Sequence, residues 1–193
     1  MTNGVIRDGT GGGYSAEVSS DNKLRVRAIS ETRNQHSVEI GDAYNINTGD
    51  ISSLANGESA LLYFKNNEDT DFTVDAIAVG IKDATGSNVH TVTVVRDPTS
   101  ASFSTDVDMN ANRNFGSAKT LQNSLAYKGA DAATLTGGTD AAQFYMNESN
   151  RLFATVDFVI PKGTAMGVKL DLSLSSGTTT AYVALIGHKE EII

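Results

Sequence analysis

The sequence predicts an all-β protein, an antiparallel β-sandwich preceded by an extended Gly-rich N-terminal arm and a small β-hairpin. Two observations lead to this fold class. Apolar side chains occupy every second position over residues 151–160 and again over 168–174, which is the period of a strand with one buried face. Glycine, asparagine, aspartate and serine separate nearly all of the apolar segments, as turn residues do, and no segment sustains a helical period.

Length and composition suit one such domain. A chain of 193 residues buries roughly 70% of its unfolded surface on folding, which is a sufficient core without a metal or a crosslink. The sequence contains no cysteine, so disulfides, thiolate chemistry and cysteine-based zinc sites are excluded. Its formal net charge of −8 repels phosphate backbones and anionic lipids, so nucleic acid and membranes are poor partners.

Residues 1–35 are the first predicted region, an extended arm followed by a β-hairpin. The arm contains more glycine than a packed element tolerates, at Gly9, Gly11, Gly12 and Gly13. A hairpin follows over residues 16–18 and 23–29, and one of its faces is basic, with Lys23, Arg25 and Arg27. The polar stretch 30–35 is interpreted as a linker, which places the sandwich at residues 36–193.

Within residues 36–193, strands are predicted wherever apolar and β-branched residues alternate or cluster between turn signals. These strands cover residues 37–40, 43–47, 59–66, 72–81, 89–96, 102–107, 151–160, 168–174 and 181–188. Residues 50–54 and 119–124 are the two places where a helical turn could form. The interval 108–150 is expected to hold one strand near 124–128 and an exposed loop at 134–140.

The predicted core consists of apolar residues at inward positions of these strands. They are Leu62, Phe64, Val74, Val156, Phe158, Leu170, Leu172 and Ile186. Truncation of Phe158 to alanine is expected to cost about 3–5 kcal/mol, as for other buried aromatic side chains. Phe72 and Val74 are out of phase with the apolar residues that follow in the same strand, which predicts a β-bulge or a strand buried on both faces.

The sequence shows no pattern typical of a catalytic, cofactor-binding or metal site, so we expect a protein that is not an enzyme and holds no cofactor. The three histidines, His36, His90 and His188, are far apart in the sequence. The glycine-rich segment DGTGGGY differs from a dinucleotide-binding loop, because Tyr14 stands where the third glycine is required. A flexible arm is the favoured interpretation.

A calcium site is the one metal hypothesis that the sequence leaves open. Oxygen-bearing side chains alternate as they do at the start of a calcium loop, at Asp106, Asp108, Asn110 and Asn112. The positions of the essential glycine and glutamate of an EF-hand hold Ala111 and Ser117, so that motif fails. A polar loop is favoured, and a looser calcium site at Asp106 and Asp108 is the alternative.

Three segments together resemble virion proteins of tailed bacteriophages. They are RDGTGGGYSAEVSSDNKLRVRAIS near the start, DISSLANGESALLYFKNNEDTDFTVDAIAV in the first half and FVIPKGTAMGVKLDLSLSSGTTTAYVALIGH near the end. The first is similar to the arm and hairpin that precede β-domains in phage head-associated proteins. The other two are similar to strands of the jelly-roll domains found in capsid decoration, or cement, proteins and in head fibres.

This resemblance implies a jelly-roll β-sandwich and a non-enzymatic structural protein of the virion. It implies a homotrimer, made in the host cytoplasm, that binds the major capsid protein on the outer capsid surface. We expect the arm and hairpin to make that contact, although the basic stripe is equally well explained as the solvated face of a hairpin. The residues concerned are Gly9, Gly11, Gly12, Gly13, Tyr14, Lys23, Arg25 and Arg27.

The alternative function is a carbohydrate-binding or host-adhesion module of a head fibre or tail, because one sandwich fold serves many functions. A sugar-binding module normally presents aromatic rings on an exposed face. Since the chain contains no tryptophan, those rings would have to be Tyr63, Tyr127, Tyr145 and Tyr182. Carbohydrate is therefore a partner that the sequence does not support.

Overall fold

The computed structural model describes residues 33–82, 88–107, 111–147 and 151–190. These residues form antiparallel β-sheets that pack as a sandwich, so the predicted all-β sandwich is confirmed. Residues 1–32, which include the predicted arm and hairpin, lie outside the described residues. The elements in chain order are α1 (Arg33–Ile40), β1 (Ala43–Asn47), β2 (Ile51–Leu54), β3 (Gly57–Lys65), β4 (Phe72–Lys82), β5 (Val89–Arg96), β6 (Ser100–Ala101), β7 (Thr105–Asp106), β8 (Leu125–Lys128), β9 (Leu135–Thr136), β10 (Thr139–Asn147), β11 (Arg151–Ile160), β12 (Ala165–Leu172) and β13 (Thr179–Lys189).

Two sheets form the sandwich. The first sheet has the strand order β1-β13-β4-β11, with β2 also paired to β13, and the second sheet has the order β10-β5-β12-β3-β8-β7. Along the chain the long strands alternate between the two sheets, except at the step from β5 to β10. This interleaved order places one apolar core between the two sheets. The step from β5 to β10 contains residues 97–138, called the insertion below.

The core lies between the two sheets and contains most of the predicted residues. Leu62, Phe64, Val74, Leu170 and Leu172 are buried as expected. The Phe64 ring lies 5.1 Å from the ring of Phe72, centroid to centroid, in a tilted arrangement that is favourable for aromatic pairs.

Three predicted core residues are less buried than expected. Val156 and Phe158 face the core but are only partly buried, because they lie on β11 at the edge of the first sheet. Ile186 is also partly buried, whereas its neighbour Leu185 is fully buried. The reason is that Ile186 falls on the outward phase of β13 together with Tyr182 and Ala184, while Leu185 is on the inward phase.

The sequence predicted a β-bulge or burial on both faces for the strand that is now β4, and the structure shows both. Nearly all of its side chains are buried, on both faces of the sheet. Consecutive residues Ile186 and Gly187 of β13 pair with Ala76 and Val74, so Asp75 is the extra residue of a bulge. The bulge sets Asp75 apart from the regular ladder and gives it the polar environment described below.

The prediction of a strand at residues 37–40 is wrong, because these residues are the second half of α1. The helix ends in a Schellman motif at Gly41, which has a φ of +79°. The Gly41 N–H donates to the Val38 carbonyl at 3.2 Å, and the Asp42 N–H donates to the Ser37 carbonyl at 2.7 Å. The Ile-Gly-Asp sequence after a polar segment was the signal for this helix end.

Three further segments differ from the sequence-based expectation. Residues 51–54 form strand β2, which pairs with β13, and not a helical turn. Residues 119–124 contain no helical turn either. The single strand expected at 102–107 is replaced by two-residue strands β6 and β7, which pair with different partners, β9 and β8. Pairing with strands that are distant in the sequence decides where β2, β6 and β7 form, and no local pattern reveals such pairing.

The strand expected near residues 124–128 is confirmed as β8, but the rest of that interval holds a strand that was not predicted. β10 covers nine residues and begins inside the expected loop at 134–140, which also contains β9. The side chains of Ala142, Phe144 and Met146 alternate inward along β10. This period of two was the signal that could have identified the strand.

Candidate functional site

The residues predicted to contact a capsid all lie outside the described residues. They are Gly9, Gly11, Gly12, Gly13, Tyr14, Lys23, Arg25 and Arg27. The prediction that these residues contact a capsid therefore stays a prediction. The described residues instead show two other features, a sandwich with one closed and one open side, and a polar cluster at the β4 bulge.

The insertion closes one side of the sandwich. At the second sheet, β8 pairs with β3, and Gly129 packs so tightly that an added Cβ would lie 1.8 Å from the Ala60 carbonyl oxygen. At the first sheet, the Asn45 N–H donates to the Ala111 carbonyl at 2.9 Å, beside the bridge that joins Asn112 to β1. Both sheets thus have their edge covered on this side, which removes the unpaired strand edges that promote association.

A buried carboxylate fastens the insertion in place. The side chain of Glu68, in the turn between β3 and β4, is buried. Its Oε1 accepts hydrogen bonds from the Asn123 N–H at 2.8 Å, the Ser124 N–H at 3.0 Å and the Ser124 hydroxyl at 3.2 Å. These donors satisfy a group that would otherwise be costly to bury.

The opposite side of the sandwich, called the open side below, has no such cover in the described part of the chain. Its edges are β11 in the first sheet and β10 in the second. All of the partly buried apolar side chains that pack against the core belong to these two strands. They are Ala142, Phe144, Leu152, Val156 and Phe158. The apolar core therefore reaches the surface on this side.

Further apolar side chains extend this surface onto the outer faces of the same strands. Tyr145 of β10 is 68% exposed, and Phe153 and Val159 of β11 are 60% and 54% exposed. A cavity of about 280 Å³ opens beside Val159, lined in part by Phe158 and Met166. Tyr145 lies on the outer face of the second sheet and the two β11 residues on the outer face of the first, so the apolar surface of the open side is formed mainly by the partly buried residues between the two sheets.

The polar cluster is built around Asp75, the bulge residue of β4. Its carboxylate accepts a hydrogen bond of 2.6 Å from the Asn34 amide of α1 and lies 3.1 Å from His188 Nδ1 of β13. Arg113 of the insertion adds an ion pair at 3.7 Å and also donates to the side-chain amide oxygen of Asn34 at 2.9 Å. One carboxylate thus connects a helix, two strands and the insertion.

A second carboxylate completes the cluster at the end of β13. Glu190 accepts hydrogen bonds from the Thr73 hydroxyl at 2.6 Å and from Arg33 at 3.2 Å. His188 Nε2 is buried, has no hydrogen-bond partner among the described residues and lies 3.9 Å from the Glu190 carboxylate. Because the Thr73 hydroxyl donates to Glu190, it is not placed as a nucleophile activated by His188. The cluster holds elements of the fold together.

No group of three or more His, Asp or Glu side chains in the described ranges is arranged to hold a metal ion. Asp106 is exposed in β7, and Asp108 lies outside the described residues. The Asn112 amide nitrogen donates to the Gly41 carbonyl at 2.7 Å, and its oxygen accepts from the Asn114 N–H at 2.8 Å. The polar atoms of the Asn112 side chain are therefore used in hydrogen bonds to the backbone, as expected of a residue in a polar loop.

The four tyrosines considered for sugar binding do not form a common platform. Tyr63 is buried, and its ring stacks on Tyr127 with 6.1 Å between centroids. Tyr182 is partly buried and its ring lies against Gly80. Tyr145 alone among the four is exposed, and it belongs to the open side.

The chain matches no protein-family model and no curated protein sequence. None of the helical structure in the described residues is long and apolar enough to cross a membrane.

Proposed function

We propose that this chain is a non-enzymatic structural protein of a tailed-bacteriophage virion that binds the outer surface of the capsid and decorates or stabilises it. The open side is the structural observation that supports a role in assembly, because a sandwich closed on one side and apolar on the other is suited to assembly, although it is not part of the capsid contact proposed below. The resemblance of three sequence segments to decoration proteins and head fibres supplies the capsid as the partner.

The proposed contact with the major capsid protein is made by the arm and the basic face of the hairpin, residues 1–29. Glycine at positions 9 and 11–13 lets a backbone approach another protein closely. The basic residues Lys23, Arg25 and Arg27 stand out in a chain of net charge −8. They suit a capsid surface that presents carboxylates.

Sedimentation with capsids tests this proposal. Capsids assembled without this chain, from the major capsid protein of the phage that encodes it, are mixed with the purified full-length chain and pelleted. Saturable binding is expected. Deletion of residues 1–15 should abolish binding, and the Lys23→Glu, Arg25→Glu, Arg27→Glu triple variant should weaken it and change its salt dependence.

The matched control is a second triple variant with the same change in net charge. It carries Lys82→Glu, Arg96→Glu and Lys162→Glu, at exposed positions of the sandwich. This control variant should bind capsids more tightly than the variant with Lys23→Glu, Arg25→Glu and Arg27→Glu. A full-length chain that does not bind these capsids contradicts the proposed function. Full binding by the chain without residues 1–15 contradicts the proposed role of the arm.

A further inference from the structure

We propose that β11 pairs with the β11 of a second copy of this chain, antiparallel and about a two-fold axis at Ala154. The first sheets of the two copies then form one continuous sheet. β11 is suited to this because it is ten residues long and is an edge strand in the described part of the chain. A long free edge presents unpaired backbone groups that another strand can satisfy.

The charges on β11 select the second copy as the occupant. Arg151 and Asp157 are the charged residues of this strand, both are exposed, and neither forms an ion pair with a described residue. They stand at equal distances from Ala154 in the sequence. The pairing of β11 with β4 shifts register between Thr155 and Phe158, but exposed and partly buried residues still alternate along β11, so Arg151 and Asp157 share its outer face. In an antiparallel pair centred at Ala154, Arg151 of each copy therefore comes opposite Asp157 of the other, and directly opposed charges of opposite sign stabilise a sheet.

The same register matches the apolar residues. Leu152 and Val156, which are partly buried on the inner face, come opposite each other across the axis. On the outer face, the exposed Phe153 comes opposite Thr155 of the other copy. The core of one sandwich therefore continues into the core of the next, which covers apolar side chains that the single chain leaves in water.

Charge also explains why two copies would meet here and not elsewhere. Each copy has a net charge of −8, so most surfaces of two copies repel each other. One positive and one negative side chain make β11 neutral as a strand. An isologous contact of this kind gives a closed dimer. It differs from the trimer that the family resemblance implies, and it does not depend on capsid binding.

Charge reversal tests the register in the purified full-length chain, without capsids. Light scattering and sedimentation velocity should give a mass twice the 20.3 kDa of one chain at micromolar concentration. Arg151→Asp alone or Asp157→Arg alone places like charges opposite each other at both ends of the pair. Each change should raise the dimer dissociation constant about tenfold. The double variant restores both pairs and should restore the dimer.

Lys119→Asp is the control, since Lys119 is an exposed residue of the insertion, which closes the opposite side of the sandwich. It should leave the dimer as stable as before, and circular dichroism should show that all variants fold. A monomeric or trimeric wild-type chain overturns the proposal. The proposal is also overturned if the single changes leave the dimer dissociation constant unchanged, or if the double variant does not restore the dimer. None of these results bears on capsid sedimentation, so the two proposals fail separately.

Discussion

Replacing Asn66 with alanine should destabilise the sandwich far more than the size of the side chain suggests. Asn66 is fully buried at the end of β3. Its amide nitrogen donates to the Ile160 carbonyl at 2.8 Å and to the Thr70 carbonyl at 2.9 Å. Its oxygen accepts from the Glu68 N–H at 3.0 Å. One side chain thus joins the β3–β4 turn to the end of β11.

The magnitude follows from the groups that lose a partner. The Ile160 carbonyl and the Glu68 N–H form buried hydrogen bonds with Asn66, and the Thr70 carbonyl forms a partly buried one. A buried polar group left without a partner costs about 1–3 kcal/mol, so the total for Asn66→Ala should be about 3–5 kcal/mol. Asn66→Asp keeps the acceptor but loses both donors, so it should be at least as damaging.

Urea or guanidinium denaturation, followed by circular dichroism, measures the change in unfolding free energy. The neighbouring Asn67 is the control, because it is partly buried and has no side-chain hydrogen bond to a described residue. Asn67→Ala should change the unfolding free energy by less than about 0.5 kcal/mol. A cost for Asn66→Ala below about 1 kcal/mol would refute the reasoning, since even one orphaned buried group should exceed it.

Three further predictions concern titration and packing. Burial, with the carboxylates of Asp42 and Glu68, raises the pKa of the Tyr44 phenol above 10.0, so the unfolded chain releases this proton first. Stability should therefore fall as the pH rises above that value, and Tyr44→Phe should reduce the slope of unfolding free energy against pH. The hydrogen bond and charge of Lys162 lower the pKa of the exposed Asp69, so its small stabilising effect is lost as the pH falls through that pKa. Lys162→Ala should return the Asp69 pKa to its ordinary range in an NMR titration and barely change stability. Gly129→Ala should cost at least about 2 kcal/mol in chemical denaturation, because its Cβ would overlap a β3 carbonyl. Gly116→Ala, where the nearest atom is 3.4 Å away, should cost much less.

Several elements could be predicted from the sequence because their signals are local. The alternation over residues 151–160 is a strand with alternate partly buried and exposed residues in the structure, and the apolar residues at 168, 170, 172 and 174 are all buried. The phase change after Val74 predicted a bulge or a strand buried on both faces, and β4 has both features. Each of these signals depends only on which neighbours share a face of one strand.

Other elements required contacts that the local pattern does not contain. The short strands β6, β7 and β9 exist because they pair within the insertion or with β8, not because of their own composition. The helix α1 is polar, and its side chains Arg33 and Asn34 bond to Glu190 and Asp75, which are distant in sequence. Sequence reasoning missed the polar cluster as a whole, because its members come from four separate parts of the chain.

The sequence by itself determined the all-β class, the period of the main strands, the absence of cysteine chemistry and the acidic balance of the chain. These follow from side-chain type and spacing alone. The tertiary structure decided which strands lie at the edges of the sheets, where the insertion closes the sandwich, and that β10 and β11 leave the other side open. The physical reason is that a residue's burial depends on the strand beside its own, and strand order is set by pairing between distant segments.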